Sequence, residues 1–213
     1  MSSALRLARS LGWLAALVVS AGTRAAAEPQ VFAVDAATSH VRIHLGRAGL
    51  VKFLGHEHHI EAPIAQGLVH VVDGDPARSS VTLRFASAKL AVVPGSEPAS
   101  DIPKVEERMR GVEVLEVARY PEIAFASTSV RSQAHDAARF RLVVAGTLTL
   151  RGRSFPVEIP LDFTREPAGI VARGELALNL RDVGIEPPSV AGVVKVANRF
   201  RLEFEIRATA ANP

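Results

Sequence analysis

From Val194 to Ile206 every second residue belongs to one set, Val194, Val196, Asn198, Phe200, Leu202, Phe204 and Ile206, while Lys195, Arg199, Arg201, Glu203 and Glu205 fall between them. Successive side chains of a strand point to opposite faces, so this period of two specifies a strand with one face on a core and one in water. The pattern recurs along the chain. Val81, Leu83, Phe85 and Ser87 share a parity, as do Ile123, Phe125 and Ser127. So do Phe140, Leu142, Val144, Gly146, Leu148 and Leu150, then Phe155, Val157, Ile159, Leu161 and Phe163, then Gly174, Leu176, Leu178 and Leu180. Shorter strands are predicted at 32–35, 41–45 and 67–72, the second turning His40, Arg42 and His44 toward solvent. Roughly eight strands of one-sided alternation joined by short turns predict an all-β chain whose antiparallel sheet closes into a barrel.

Turn chemistry punctuates the strands where it should. Asp73-Gly74-Asp75-Pro76 is a strong turn signal, Gln133 to Ala138 is polar, and Arg151-Gly152-Arg153 reads as a hairpin tip. Pro156 and Pro160 lie on the outward parity of their strand; lacking an N–H for the ladder, they predict bulges or irregular pairing there.

One stretch departs from period two. Ile102, Val105 and Met109 fall at helical spacing, Ser100 or Asp101 is placed to cap, Pro103 suits a first turn and Gly111 ends the run. A short helical insertion is therefore expected over about 101–117, with Val112, Val114, Leu115 and Val117 leading to Tyr120-Pro121.

Residues 1 to 27 carry Arg6 and Arg9, then an apolar run from Leu11 to Val19, then Ala25-Ala26-Ala27, the pattern of a secretory signal peptide. The remaining 28–213 reads as one domain exported to the periplasm. No later segment approaches the roughly 18 consecutive apolar residues of a spanning helix. Of the 25 basic residues three, Arg6, Arg9 and Arg24, belong to the leader, so 22 remain against 22 acidic ones. A formally neutral domain lacks the cationic face that nucleic acid demands. The chain has no cysteine, which removes disulfides, thiolate metal sites and thioether haem.

An eight-stranded barrel either fills its interior or holds one small ligand. The inward set is Phe, Leu, Val and Ile almost throughout, and the candidate lumen residues are Leu83, Phe85, Ile123, Phe125, Phe140, Leu142, Leu148, Phe155, Leu178, Phe200 and Phe204. Trp13 lies in the leader and Tyr120 is the single tyrosine, so the interior offers no polar-tipped aromatic platform for a sugar or nucleotide. Any guest should be long and apolar. The competing expectation is that Phe85, Phe125 and Phe204 simply fill a solid core, leaving the barrel to act through protein partners such as membrane electron-transfer proteins.

Taken jointly, several of these motifs resemble the YceI-like family of exported, lipocalin-like barrels. The most specific is the run from Leu115 to Thr128, LEVARYPEIAFAST, which is similar to the family's helix, Tyr-Pro and following strand. The turn from Asp73 to Val81, the Gly146-Thr147-Leu148-Thr149-Leu150-Arg151-Gly152 hairpin with Pro156-Val157, and Asp182-Val183-Gly184-Ile185 match further family elements. The resemblance covers the whole of 28–213 and implies a non-enzymatic carrier of polyisoprenoid, prenyl quinone or another long-chain amphiphilic lipid. Such a carrier requires no cofactor beyond the bound lipid, and homodimer formation is compatible with it. Thr38-Ser39, Leu180 and Val183 depart from the residues many members carry, so a head group would be seated differently here.

Gly55-His56-Glu57-His58-His59 offers a second chemistry, because imidazole is a common ligand for zinc and copper. His56, His58 and His59 are the candidate metal ligands. The alternatives are a polar rim at the barrel mouth, a structural histidine, or head-group recognition. Catalysis has the weakest support: neither a Gly-x-Ser-x-Gly elbow nor a His-Glu-x-x-His helix occurs, and Ser87 and Ser127 are ordinary strand serines.

Overall fold

The computed structural model describes residues 28–48, 58–135, 139–190 and 194–211. The expected leader lies outside them, as do His56 and Glu57. Twelve strands form one antiparallel sheet: β1 (Gln30–Val34), β2 (His40–Ala48), β3 (His58–Glu61), β4 (Ile64–Val71), β5 (Ser80–Ala86), β6 (Ala91–Val92), β7 (Glu122–His135), β8 (Arg139–Leu150), β9 (Arg153–Glu166), β10 (Gly169–Asn179), β11 (Ser189–Val190) and β12 (Val194–Ala210). A single helix, α1 (Ile102–Arg110), separates β6 from β7 among the described residues.

Among the described residues twelve strands make eight staves, because three staves are broken in two and the two-residue β11 only pairs with the start of β12, off the main path. β1 and β2 run along the same edge of β12, interrupted at 35–39, where Asp35 Oδ1 accepts the Ala37 N–H at 2.9 Å. That hydrogen bonding, with Thr38 contributing most, holds the Asp35 carboxyl below its ordinary pKa. Ser39 stitches the break to β12, its hydroxyl donating to the Arg207 carbonyl and accepting the Arg207 N–H. β3 and β4 are parted by Ala62-Pro63, and β5 and β6 by a tight turn at Ser87–Lys89. The β2 edge pairs with β3 and β3 with β6, while β1 pairs with β4 and β4 with β5. β5, β7, β8, β9, β10 and β12 then follow in order, and β12 returns to β1 with Phe32 opposite Ala210. The sheet is closed, as the alternation predicts, and leaves few edges to protect.

One local expectation is met on one side of its strand only, and another changes. The prolines of β9 produce no bulge on the β8 side, where the register runs unbroken from Arg139↔Thr164 to Leu150↔Arg153. Instead the β9–β10 ladder stops at Leu161↔Gly174, one residue short of Pro160, so the missing donors face a side where no ladder bond is required. Asp101 precedes α1 without capping it; its carboxylate takes the Lys104 ammonium at 3.1 Å instead.

The hairpin between β8 and β9 turns on Arg151 (φ 51°) and Gly152 (φ 66°), the left-handed pair that matches the twist of the flanking strands. This turn, α1 and the Ser87–Lys89 break all lie at one end of the barrel. The insertion is tied down there: the Val92 N–H donates to Glu106 Oε1, Ser87 Oγ donates to the Tyr120 carbonyl at 2.7 Å, and Arg151 donates to the Val112 carbonyl. Met109 and Leu115 from the insertion are buried, along with Ile60, Leu90, Val92, Leu180, Val183 and Ile185. That end is solid.

Candidate ligand-binding lumen

The opposite end is open. It is framed by the β4–β5 turn at 73–79, the start of β1 and the ends of β7 and β9, and it leads into a cavity of about 700 Å3. The volume lies within the usual range for small-molecule sites. No residue of the 101–121 insertion lines it, so the insertion seals the far end and does not cover the mouth.

Eight of the eleven residues expected from sequence line this lumen: Leu83, Phe85, Phe125, Phe140, Leu142, Leu148, Leu178 and Phe204. Ile123, Phe155 and Phe200 do not. They share the inward parity but sit nearer the sealed end, Phe155 beneath the Arg153 guanidinium at 5.4 Å and Phe200 paired with Leu178 and Leu45. Alternation reports which face a residue takes, not how far along the barrel it lies.

The phenylalanines leave the middle open because two of them lie along the wall over glycines. A Cβ on Gly146 would come within 2.5 Å of the Phe125 ring, and a Cβ on Gly174 within 2.5 Å of the Phe204 ring. Each ring occupies the place of a missing side chain on the neighbouring strand, an aromatic-over-glycine pairing that also reinforces the sheet. The solid-core expectation fails for this reason.

Parity also misled at one point. A bulge between Ser127 and Ser129 shifts β7 against β8, so the inward residues become Val130 and Ser132. Ser127 Oγ accepts the Val81 N–H at 2.9 Å, which accounts for a serine on the apolar face without any nucleophilic role.

The polar residues on the lining, Asp73, Ser79, Ser80, Ser132 and Arg165, gather at the mouth. Arg165 was not anticipated, although it continues the inward parity of Val157, Ile159, Leu161 and Phe163 on β9. From there it reaches across to the far wall: Nη1 donates to Gln30 Oε1 at 3.1 Å and Nη2 to Asp73 Oδ1 at 2.5 Å, while Gln30 Nε2 donates to Asp73 Oδ2. Its guanidinium lies 5.6 Å above the centre of the buried Phe32 ring. The departures at Leu180 and Val183 are buried near the sealed end, away from this rim.

Of the three candidate metal ligands the described residues include His58 and His59. β3 places His58 on the same parity as the buried Ile60 and His59 on the other, so the two imidazoles point to opposite faces. His58 Nδ1 lies 2.5 Å from Oε1 of Glu97, whose side chain is buried. His59 packs edge-on against His44 at 4.8 Å between ring centroids, and His44 Nε2 lies 3.3 Å from Glu203. His44 keeps the outward parity expected of it but is partly covered there by His59 and Glu203, whereas His40 is exposed and paired with Glu61. Among the described residues no group of three or more His, Asp or Glu side chains is placed to hold a metal ion.

The described residues thus form a closed, lipocalin-like antiparallel barrel, sealed at one end, with an apolar lumen and a polar rim at the other. The YceI-like domain model matches residues 32–208, and the chain belongs to that family, whose barrels bind hydrophobic ligands. Among solved structures it is similar to BcnA of Burkholderia cenocepacia, at 17% identity and a TM-score of 0.64, over 83% of this chain and 99% of that one. The YCEI protein of Campylobacter jejuni matches at 14% identity and a TM-score of 0.46, over 71% of this chain and 85% of that one. No curated protein matches.

Proposed function

We infer that this chain is an exported, non-enzymatic binding protein that holds the tail of a long-chain amphiphile, such as a polyisoprenoid or prenyl quinone, inside the barrel. The open apolar lumen carries this reading. Water in its roughly 700 Å3 finds few hydrogen-bond partners on walls of Phe, Leu, Val and Ile, so leaving that apolar lining uncovered carries a free-energy cost. A hydrocarbon guest relieves that cost.

The lining sets the tail length. Eight residues separate Val157 from Arg165 on β9, and eight separate Ile170 from Leu178 on β10. At roughly 3.3 Å per residue and a strand tilt of about 40°, the lumen is about 20 Å deep. An extended chain advances about 1.25 Å per carbon, so about sixteen carbons or four isoprene units fit end to end. Burying sixteen methylenes contributes about 13 kcal/mol, enough to offset the estimated 4 to 15 kcal/mol of association; an eight-carbon tail barely does. The polar rim supports an orientation with the head at the mouth and the tail toward the insertion.

Solvent-extracted protein titrated with prenyl quinones of one to eight isoprene units tests this. Affinity should rise to about four units with a stoichiometry of one and then level off. Absence of stoichiometric binding at every length, with no lipid recovered from the purified protein, overturns it. Export is tested separately by the amino terminus of protein recovered from the periplasm, which should begin at Glu28; retention of residues 1–27 refutes that part.

A further inference from the structure

We propose that Arg165 is the receptor for an anionic oxyacid head group, a carboxylate or phosphate, and that Asp73 is the internal carboxylate such a head displaces. This rests on the lumen reading and names the ligand class that reading leaves open. Among the described residues Arg165 is the single cationic side chain on the lining, and it stands on the inward parity of β9 at the level where a tail would end. Its guanidinium already holds a carboxylate. Asp73 and Gln30 take one Nη each, a forked arrangement suited to two acceptor oxygens.

Both present partners are easily released. The Asp73 side chain is 56% exposed on a surface turn and Gln30 begins β1, so each returns to water when displaced. Gly74, beside Asp73 at φ 75°, has nothing within 4 Å of its absent Cβ, and Ser80 and Ser132 line the same rim. An incoming head group has room there. A cationic head would lie against the guanidinium and gain only a carboxylate already engaged. A neutral head would gain an ordinary hydrogen bond, weaker than a charge-assisted one.

The test compares hexadecanoate, hexadecyl phosphate and hexadecanol by displacement of a fluorescent lipid from the full-length mature protein, and reads the acid-to-alcohol affinity ratio within each variant. In the unaltered protein one or both acids should bind about tenfold tighter than the alcohol, the effect of one charge-assisted hydrogen bond. Arg165→Gln should collapse that ratio toward one, and Asp73→Asn, which removes the competitor, should raise it. Added salt should lower it. A thermal melt of each variant checks folding, and Arg165→Lys, which keeps the charge and loses the fork, should fall between. A ratio near one in the unaltered protein, or one that survives Arg165→Gln, overturns the proposal while alcohol binding leaves the lumen reading intact; no binding of any of the three overturns both.

Discussion

Replacing Ala172 with tryptophan would obstruct the lumen just below its mouth. Ala172 lies on β10 opposite Phe163 on one side and Ile206 on the other, and all three line the cavity. It sits two register steps below the Ile170↔Arg165 pair, about 5 Å along the axis. An indole projecting there leaves depth for about four of the sixteen methylenes. The other twelve, at about 0.8 kcal/mol each, amount to about 10 kcal/mol, so long-chain binding should disappear rather than weaken. The lipid-free protein should meanwhile gain stability, by about 1 to 3 kcal/mol, because the indole buries apolar area in space no other side chain reaches. Ala177→Trp, at an exposed outward position on the same strand, supplies the control. Lipid titration and urea denaturation of the three proteins decide the matter. Long-chain affinity retained by Ala172→Trp refutes the axial-lumen reasoning, since the tail must then bind elsewhere.

Gly174→Ala should destabilise the barrel by about 1 to 3 kcal/mol, because the new methyl would meet Phe204 Cζ at 2.5 Å and the Pro160 carbonyl at 2.6 Å; adding Phe204→Leu should restore part of the loss in a urea melt. Ser87→Ala removes the hydroxyl donated to the Tyr120 carbonyl from a fully buried site, and should cost about 1 to 3 kcal/mol while raising hydrogen exchange across 112–121. The Arg173 guanidinium, and after it Arg207, holds the Glu205 carboxyl below the ordinary glutamate pKa. With the folded pKa depressed, the unfolded chain binds the proton first as pH falls. Its contribution is present above the ordinary glutamate pKa and is lost as pH drops through the folded value, so the stability difference between the unaltered protein and Glu205→Gln should shrink over that window in melts at stepped pH.

Much of the wall was readable because alternation is a local signal. Residues two apart on β5, β8 and β10 share a face whatever the remainder of the chain does, and Leu83, Phe85, Leu142 and Leu178 followed from that alone. The family's insertion was equally plain, since helical spacing at Ile102, Val105 and Met109 interrupts period two. What failed was what depends on partners distant in sequence. Phe155 and Phe200 share parity with lining residues, and only the packing of the far end decides that they lie below the cavity. The inward turn at Val130 depends on a bulge against β8, and the reach of Arg165 to Asp73 spans 92 residues. His58 and His59 were adjacent in sequence and therefore read together, although adjacency on a strand is what sends them to opposite faces.

The two ends of the barrel use different interactions, and that difference gives the lumen a direction. At the sealed end Met109, Leu115, Val183 and Ile185 pack as continuous core, so opening it would expose several buried side chains at about 1.5 to 3 kcal/mol each. At the mouth the contact from wall to wall is the half-exposed link of Arg165 to Gln30 and Asp73, in water, where an ion pair is worth about 1 kcal/mol or less. Thermal motion will open the weak end far more often than the strong one. On the proposed reading a tail enters and leaves past Arg165, and the side chains that face it during that passage are the ones able to select it.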